Sequence, residues 1–219
     1  MTKQNREELA YESIIKLILE SQFKPGDFLL ETDLSQKLEL SRTPVRHALA
    51  KLVAEGFLDK KKKKGCFIPS ATPQDAKNVF YARERIEGLN AAAAARYALD
   101  TDIEYLYRLI ENEKEISCFD EKKRKRAYLK INENFHLGIA TMSHNKYLEK
   151  YCRNIFWRSH AYILFFDSDY HGETSIKQSL GPKQHIEITR AIENRNEEKA
   201  ENLMKQHIRT TFEQLFIRM

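Results

Sequence analysis

The chain has 219 residues, of which 42% are hydrophobic and 32% are charged, with only seven glycines and five prolines. This composition is typical of a globular protein built from long helices, and it excludes a glycine-rich or disordered chain. The formal net charge of +5 is too small by itself to indicate a polyanionic partner. Because the sequence has neither a signal peptide nor an apolar run of about 18 residues, we expect no membrane span and a cytoplasmic location.

The first 70 residues contain three helical segments followed by two short extended ones. Apolar residues at helical spacing predict the helices, and the turn-forming Lys24-Pro25-Gly26-Asp27 ends the first of them. Five consecutive lysines and Gly65 join the extended segments and predict a two-stranded hairpin. The predicted segments are helices over 7–20, around 34–38 and after 40–44, and strands over 57–60 and 66–69.

The rest of the chain is predicted to be helical. Thr72 followed by Pro73 is typical of a helix start, with a hydroxyl cap and proline at the first helical position. We therefore expect a mainly α protein with an N-terminal domain over 1–70 and an antiparallel helical bundle over 71–219. The helices of the bundle are predicted at 73–98, 101–117, 121–143, 146–167, 174–194 and 197–217.

The third helix has the pattern of a DNA-recognition helix. Its apolar residues lie along one stripe, which leaves a small, basic outward face. Arg42 and Arg46 lie on that face or at its start, and arginine can bridge O6 and N7 of guanine with two hydrogen bonds. Thr43 can donate a hydrogen bond to a phosphate at the helix N-terminus. Three helices and a hairpin are the parts of a winged helix-turn-helix, so we predict binding to double-stranded DNA.

The lysine-rich hairpin is the predicted wing. Lys63, Lys64 and Gly65 lie at its tip, where lysine side chains can contact phosphates or the minor groove. The alternative for the lysines is a solvated hairpin whose charges prevent edge-to-edge aggregation. For the two arginines the alternative is ordinary surface charge.

The same residues resemble the DNA-binding domain of the GntR family of bacterial regulators. The resemblance covers about residues 8–69 and implies a winged helix in a transcriptional repressor or activator. It matches Arg42, Thr43 and Arg46 to DNA-contacting positions and Thr32 to a phosphate-contacting one, whereas His47 departs from the glutamate that is frequent in the family. The motifs are Phe23-Lys24-Pro25-Gly26-Asp27, Leu30-Glu31, Asp33-Leu34-Ser35, Ser41-Arg42-Thr43-Pro44-Val45-Arg46-His47-Ala48-Leu49, Glu55-Gly56 and Gly65.

Three histidines of the C-terminal part lie on apolar helix faces. His136 follows Asn132 by one helical turn, and His185 and His207 each share a face with aliphatic residues. If the three helices meet in the bundle core, their imidazoles suit zinc, nickel, copper or iron, with Asn132 as an oxygen ligand. The alternative is that each histidine is a hydrogen-bonded core residue.

This part of the sequence resembles the FCD effector domain of the FadR subgroup. The resemblance implies a divalent cation, zinc or nickel, held by Asn132, His136, His185 and His207, although Asp is commoner than Asn at the first position. It also implies a small organic acid as effector, and for its carboxylate we expect Arg83 and Arg158 as partners. The alternative for both arginines is a salt bridge within the helical bundle. The motifs are Arg83-Glu84-Arg85-Ile86-Glu87, Asn132-Glu133-Asn134-Phe135-His136, Asn145, Gln184-His185 and Gln206-His207.

Three alternatives to an acid-responsive regulator have to be considered. A metal-dependent hydrolase would use three histidines but would also need a general base, and the sequence has no H-E-x-x-H motif, so we expect no enzyme. A regulator that senses the metal itself and a purely structural bundle are the other two. Our expected mechanism is a homodimer in which the effector changes the spacing of two recognition helices on half-sites about one DNA turn apart, with 69–73 as the hinge.

Overall fold

The computed structural model describes residues 3–70, 72–119, 121–170 and 181–216. The described residues form a mainly α protein with one small sheet, as the sequence predicted, and the predicted helix start at 174 lies outside them. The helices are α1 (Lys3–Leu19), α2 (Glu31–Lys37), α3 (Arg42–Ala54), α4 (Pro73–Tyr97), α5 (Asp100–Glu115), α6 (Glu121–Met142), α7 (Lys146–Tyr170), α8 (Gly181–Glu193) and α9 (Glu197–Phe216), and the strands are β1 (Phe28–Leu29), β2 (Asp59–Lys61) and β3 (Gly65–Phe67).

The three N-terminal helices enclose a small apolar core. The predicted inward stripe of α3 is buried, and it packs mainly against α1. Full burial of an aliphatic side chain of this size contributes about 1.5–3 kcal/mol. The packing therefore fixes α3 with its polar face outward. The buried residues of the two helices are Ala10, Tyr11, Ile14, Ile15, Ile18, Pro44, Val45, Ala48, Leu49 and Leu52.

The sheet has three strands, not the two that the sequence predicted. The order is β1-β3-β2, with both pairs antiparallel. The extra strand β1 has two residues, which is too short for an alternating pattern to reveal. It is held by the preceding turn, where Gly26 has φ +91° and donates its N–H to the Ile68 carbonyl at 2.9 Å. Glycine adopts this left-handed conformation without the steric cost that other residues have.

Helix α4 is the central helix of the C-terminal bundle. It has 25 residues and packs most extensively against α9, and it also packs against α7 and α6. Its start is the predicted one, because the Thr72 hydroxyl accepts a hydrogen bond from the Asp75 N–H at 3.1 Å. The buried alanines Ala91, Ala94 and Ala95 allow close helix packing. None of the described helices combines the length and the hydropathy that crossing a lipid bilayer requires.

Helix α7 joins the bundle to the winged domain. Arg158 of α7 forms a two-point ion pair with Asp59 of β2, with nitrogen–oxygen distances of 3.2 and 2.5 Å. One residue earlier, the Trp157 ring packs edge-on against Phe57, with ring centroids 5.4 Å apart. Both contacts come from one turn of α7, and the Arg126–Glu12 ion pair between α6 and α1 is a further contact that joins the winged domain to the bundle.

Candidate metal centre and nucleic-acid interface

The predicted recognition residues lie together on the outer surface of the winged domain. Arg42 and Thr43 are the first two residues of α3, and Arg46 follows one turn later. The arginine side chains are 60% and 59% exposed. A helix N-terminus presents unpaired backbone N–H groups, so Thr43 lies where an anion is favoured. The arrangement leaves both guanidinium groups accessible to a ligand as large as a DNA duplex.

Both arginines contact one carboxylate that the sequence analysis did not single out. Arg46 donates from Nε to the two oxygens of Glu31 at 3.1 and 3.0 Å, and Arg42 Nη2 lies 3.5 Å from Glu31 Oε2. The hydrogen bond from Arg46 is the main cause that lowers the pKa of Glu31. Thr32, the predicted phosphate contact, is exposed beside Glu31 and donates to Asp33 at 2.9 Å.

The wing is the turn between β2 and β3. The lysines at its tip are exposed, and the Lys64 N–H closes the turn onto the Lys61 carbonyl at 3.0 Å. Lys63 and Gly65 have positive φ values of 65° and 106°. The turn therefore projects several ammonium groups into solvent on a short, tightly bent segment.

The three predicted histidines come together in the core of the bundle. His136 lies on α6, His185 on α8 and His207 on α9, and one ring nitrogen from each falls within 4.8 Å of the others. Their side chains are only 2%, 1% and 6% exposed. The cluster is consistent with a metal site.

Each histidine has its Nδ1 held by an oxygen from another helix. Since an imidazole that donates from Nδ1 keeps its Nε2 lone pair as a ligand, these contacts fix the tautomer that binds a metal. The Nε2 of His185 is buried and has no hydrogen-bond partner among the described residues. The three contacts are His136–Glu87 at 2.5 Å, His185–Glu113 at 2.8 Å and His207–Gln184 at 2.9 Å.

Burial of the cluster also favours neutral imidazoles. Burial lowers the pKa of His136 despite the nearby carboxylate, and burial lowers that of His207 as well. Burial acts to raise the pKa of Glu87, but Arg83 and His136 outweigh it and lower the value to about 2. Glu87 is therefore an ionised hydrogen-bond acceptor, and His136 is a neutral donor.

The two arginines predicted to bind an effector have different surroundings. Arg83 is 2% exposed, and its guanidinium donates to Glu87 at 2.5 Å and to Ser159 at 3.0 Å. It is therefore connected to His136 through one carboxylate. Arg158 instead pairs with Asp59 at the contact between the domains.

Two further polar residues of the bundle are buried. Asn132 is 4% exposed, and its amide nitrogen donates to the Tyr128 carbonyl at 3.0 Å, a bond that does not use the amide oxygen. His160 is buried, its ring stacks on Phe156, and its Nδ1 contacts the Phe156 carbonyl at 3.0 Å. Burial lowers the pKa of His160 to about 3.

The sequence analysis gave no role to three hydrogen-bonding residues of this region, Glu87, Glu113 and Ser159. A signal existed for Glu113, because it continues the apolar stripe of Ile103, Leu106 and Ile110 at helical spacing. A carboxylate on a buried face needs a partner, so its position was informative. Ser159 is recognisable only from the packing of α7 against α4.

Comparison with known proteins agrees with this architecture. Residues 6–68 match the model of bacterial regulatory proteins of the gntR family, and residues 78–210 match that of the FCD domain. The chain is 28% identical over 204 residues to the uncharacterized HTH-type transcriptional regulator YdhC of Bacillus subtilis, covering 92% of this chain and 85% of the relative. It is 29% identical over 196 residues to the Nta operon transcriptional regulator of Aminobacter aminovorans, covering 88% and 86%.

Among solved structures, Escherichia coli McbR/YncC superposes with a TM-score of 0.78 at 17% identity, covering 100% of this chain and 99% of that one. That likeness supports the fold alone. The two sequence matches account for both domains, and they identify a family of transcriptional regulators and not of enzymes. The chain therefore belongs to the gntR family, as a DNA-binding transcriptional regulator with an N-terminal winged helix-turn-helix and a C-terminal FCD domain.

Proposed function

We propose that the protein regulates transcription as a homodimer whose affinity for operator DNA is controlled by a small organic acid bound at a metal ion. The observation that carries this proposal is the buried cluster of three histidines, each held at Nδ1 so that Nε2 is left as a ligand. A bundle that needed only stability would gain more from apolar side chains at these positions, because buried polar groups cost free energy.

The proposed operator contacts are the exposed groups of α2, α3 and the wing. Arg42 and Arg46 would read base edges in the major groove, while Thr32 and Thr43 would contact phosphates. The exposure of both arginines and the position of Thr43 at a helix N-terminus support this assignment. The proposed contacts of the wing are Lys63, Lys64 and Gly65.

The homodimer is proposed because of the geometry of operator recognition. One winged domain covers a single half-site, and two domains related by a two-fold axis match a palindromic operator with half-sites about one DNA turn apart. The proposed division is a DNA-binding domain over 1–70 and an effector and dimerisation domain over 71–219.

The proposed ligands of the cation are Asn132, His136, His185 and His207. The fit of these residues to a metal rests on the unpaired, buried Nε2 of His185 and on the neutral state of His136. Three imidazoles and an amide oxygen suit a borderline cation such as zinc or nickel. When bound, the ion would supply Lewis acidity toward a carboxylate oxygen of the effector.

The proposed effector is a small carboxylic acid because the buried guanidinium group of Arg83 lies beside the histidine cluster. Arg83 carries five N–H donors, of which Glu87 and Ser159 use only part. A carboxylate near Arg83 would meet a positive charge in a region of low dielectric. Arg158 is the second proposed partner, and an acid that reached it would have to displace Asp59.

Helix α7 connects the histidine cluster to the winged domain, so it could couple effector binding to DNA binding. Ser159 accepts from Arg83 on the bundle side, while Arg158 contacts the wing strand on the other side. An acid that changes the position of Arg83 would therefore act on the same helical turn that holds the wing. By linkage, operator binding would change the affinity for the acid by the same factor.

Sensing of the metal itself is the second candidate function. It is favoured by the two carboxylates that contact the cluster, Glu87 and Glu113, since negative charge attracts a cation and opposes an anionic effector. Arg83 offsets the charge of Glu87, and for this reason we place the acid-responsive function first.

Elemental analysis of dialysed protein, combined with a thermal-shift screen of small carboxylic acids, tests the proposal. We expect near-stoichiometric metal and stabilisation by at least one acid in the wild type, and neither in His136→Ala. His144→Asn is the matched control, because His144 is exposed and asparagine tolerates its positive φ of 51°. Equal metal content in wild type and His136→Ala would refute the ligand assignment. Metal that changes operator affinity without any acid would instead favour metal sensing.

A further inference from the structure

Glu31 holds Arg46 along one side of its guanidinium group. Arg46 Nε lies 3.1 and 3.0 Å from the two oxygens of Glu31, and Arg46 Nη2 lies 3.0 Å from Oε2. Paired contacts between arginine and a carboxylate are geometrically specific. The pair is formed between two elements, because Glu31 begins α2 and Arg46 lies in α3.

This contact leaves the other edge of the guanidinium group for DNA. A guanidinium carries five N–H donors, and Glu31 engages those on the Nε and Nη2 side. The end of the group, formed by Nη1 and Nη2, still presents two parallel donors, which match O6 and N7 of guanine. Because Glu31 restricts the side chain before DNA binds, Arg46 loses less conformational entropy when it contacts the base.

The carboxylate also reduces the positive charge of the surface. Glu31 lies within 3.5 Å of Arg42 as well, so the three side chains together have a net charge of +1. Binding to DNA of any sequence depends on cations that neutralise phosphates. A carboxylate between two arginines weakens this generic binding, while the base contact of Arg46 is retained.

We infer that Glu31 is a specificity-determining residue of the DNA-binding surface, which orients Arg46 toward a base edge and lowers affinity for DNA of unrelated sequence. The inference rests on the proposed function, because it requires Arg46 to contact a base. It assigns to α2 a role in discrimination beyond packing against α3. The role is one of positioning, since Glu31 acts on the DNA through Arg46.

Selection of bound duplexes from a random-sequence library by the full-length protein tests the inference without a known operator. We compare the wild type with Glu31→Gln, Arg46→Ala and the control Glu39→Gln, which removes one charge from an exposed carboxylate with no ion pair among the described residues. For Glu31→Gln we expect at least a fivefold loss of preference at the base pair that Arg46→Ala also affects, and a several-fold gain in affinity for the unselected library. Glu39→Gln should keep the wild-type base preferences.

A fourth variant separates geometry from charge. Glu31→Asp keeps the charge but withdraws the carboxylate from Arg46 by one methylene, so we expect it to lose base preference without gaining affinity for the unselected library. If Arg46→Ala abolishes a base preference that Glu31→Gln and Glu31→Asp both retain, the inference is wrong and the proposed DNA contact stands. If Arg46→Ala leaves every preference unchanged, both are wrong.

Discussion

Replacing Gly56 by alanine is expected to separate the winged domain from the bundle. Gly56 follows α3 with φ +83°, and a Cβ atom built there would lie 2.6 Å from Asn154 Nδ2 and 2.9 Å from the Asn154 carbonyl oxygen on α7. The second of these neighbours is a backbone atom of a long helix, which cannot rotate away as the end of a side chain can. The added methyl group therefore requires α7 and the end of α3 to move apart.

The matched control is Gly26→Ala in the same domain. Gly26 has φ +91°, and among the described residues its Cβ would meet only Ser70 Oγ, at 3.7 Å. Both variants carry the cost of a left-handed residue with a side chain, about 1–2 kcal/mol. Gly56→Ala alone adds the overlap with α7, and overpacking of this kind typically costs a further ~1–3 kcal/mol. The difference between the two free energies of unfolding therefore measures the cost of the overlap with α7.

Trp157 provides the assay because it is the single tryptophan of the chain and packs against Phe57 at that contact. It is 1% exposed in the folded protein. We expect red-shifted fluorescence in native Gly56→Ala and wild-type fluorescence in Gly26→Ala, with urea unfolding midpoints lowered in both and most in Gly56→Ala. Identical spectra and identical midpoints for the two variants would refute the close approach of α7 to the winged domain.

Three further predictions follow from single interactions. In the double variant Lys63→Ala/Lys64→Ala, the logarithm of DNA affinity should depend less steeply on the logarithm of salt concentration. The slope should fall by about 0.9 for each phosphate that the variant no longer neutralises. An unchanged slope in a salt titration would exclude the wing from the interface. A double-mutant cycle of Asp59→Asn and Arg158→Ala, followed by urea unfolding, should give a coupling of about 1 kcal/mol, since the pair is partly exposed; zero coupling would mean that it is absent in solution. The pKa of His160 is lowered to about 3 in the folded protein, so below pH 6.5 the unfolded chain binds more protons than the folded one. The free energy of unfolding should therefore decrease as the pH falls, by up to about 1.4 kcal/mol per pH unit. His160→Gln should make the unfolding free energy less dependent on pH between 6.5 and 4.5, and an equal dependence in both proteins would contradict the burial of a neutral imidazole.

The winged domain was largely predictable because its helices are specified by residue patterns within short segments of the sequence. The period of the apolar residues in α3 determined which side would be buried, and this fixed the outward position of Arg42 and Arg46. Strand β1 was not predictable, because two residues are too few to show an alternating apolar pattern. They pair with β3 only after the chain has folded back. The pairing of both arginines with Glu31 was equally hidden, because it depends on the angle between α2 and α3.

The burial of each histidine was predictable from the sequence, but the approach of the three side chains to one another was not. Helical spacing placed His136, His185 and His207 on buried faces, while their approach to within 4.8 Å depends on how α6, α8 and α9 pack. The sequence resemblance supplied the grouping that spacing could not. The oxygens that fix the tautomers come from residues up to 72 positions away, so no local pattern pairs them.

The position of α7 argues that control of DNA binding does not depend on the linker alone. The proposed linker at 69–73 is not the sole connection, because α7 also contacts the winged domain through Trp157 and Arg158, while the adjacent Ser159 accepts from Arg83 beside the histidine cluster. Neighbouring residues of one helical turn cannot move independently, because the backbone hydrogen bonds hold them together. A ligand that binds more tightly to one position of α7 than to another would therefore shift the population of wing orientations by that difference in affinity. Under the proposed function, the linker permits the change of orientation and the α7 contacts determine which orientation the effector favours.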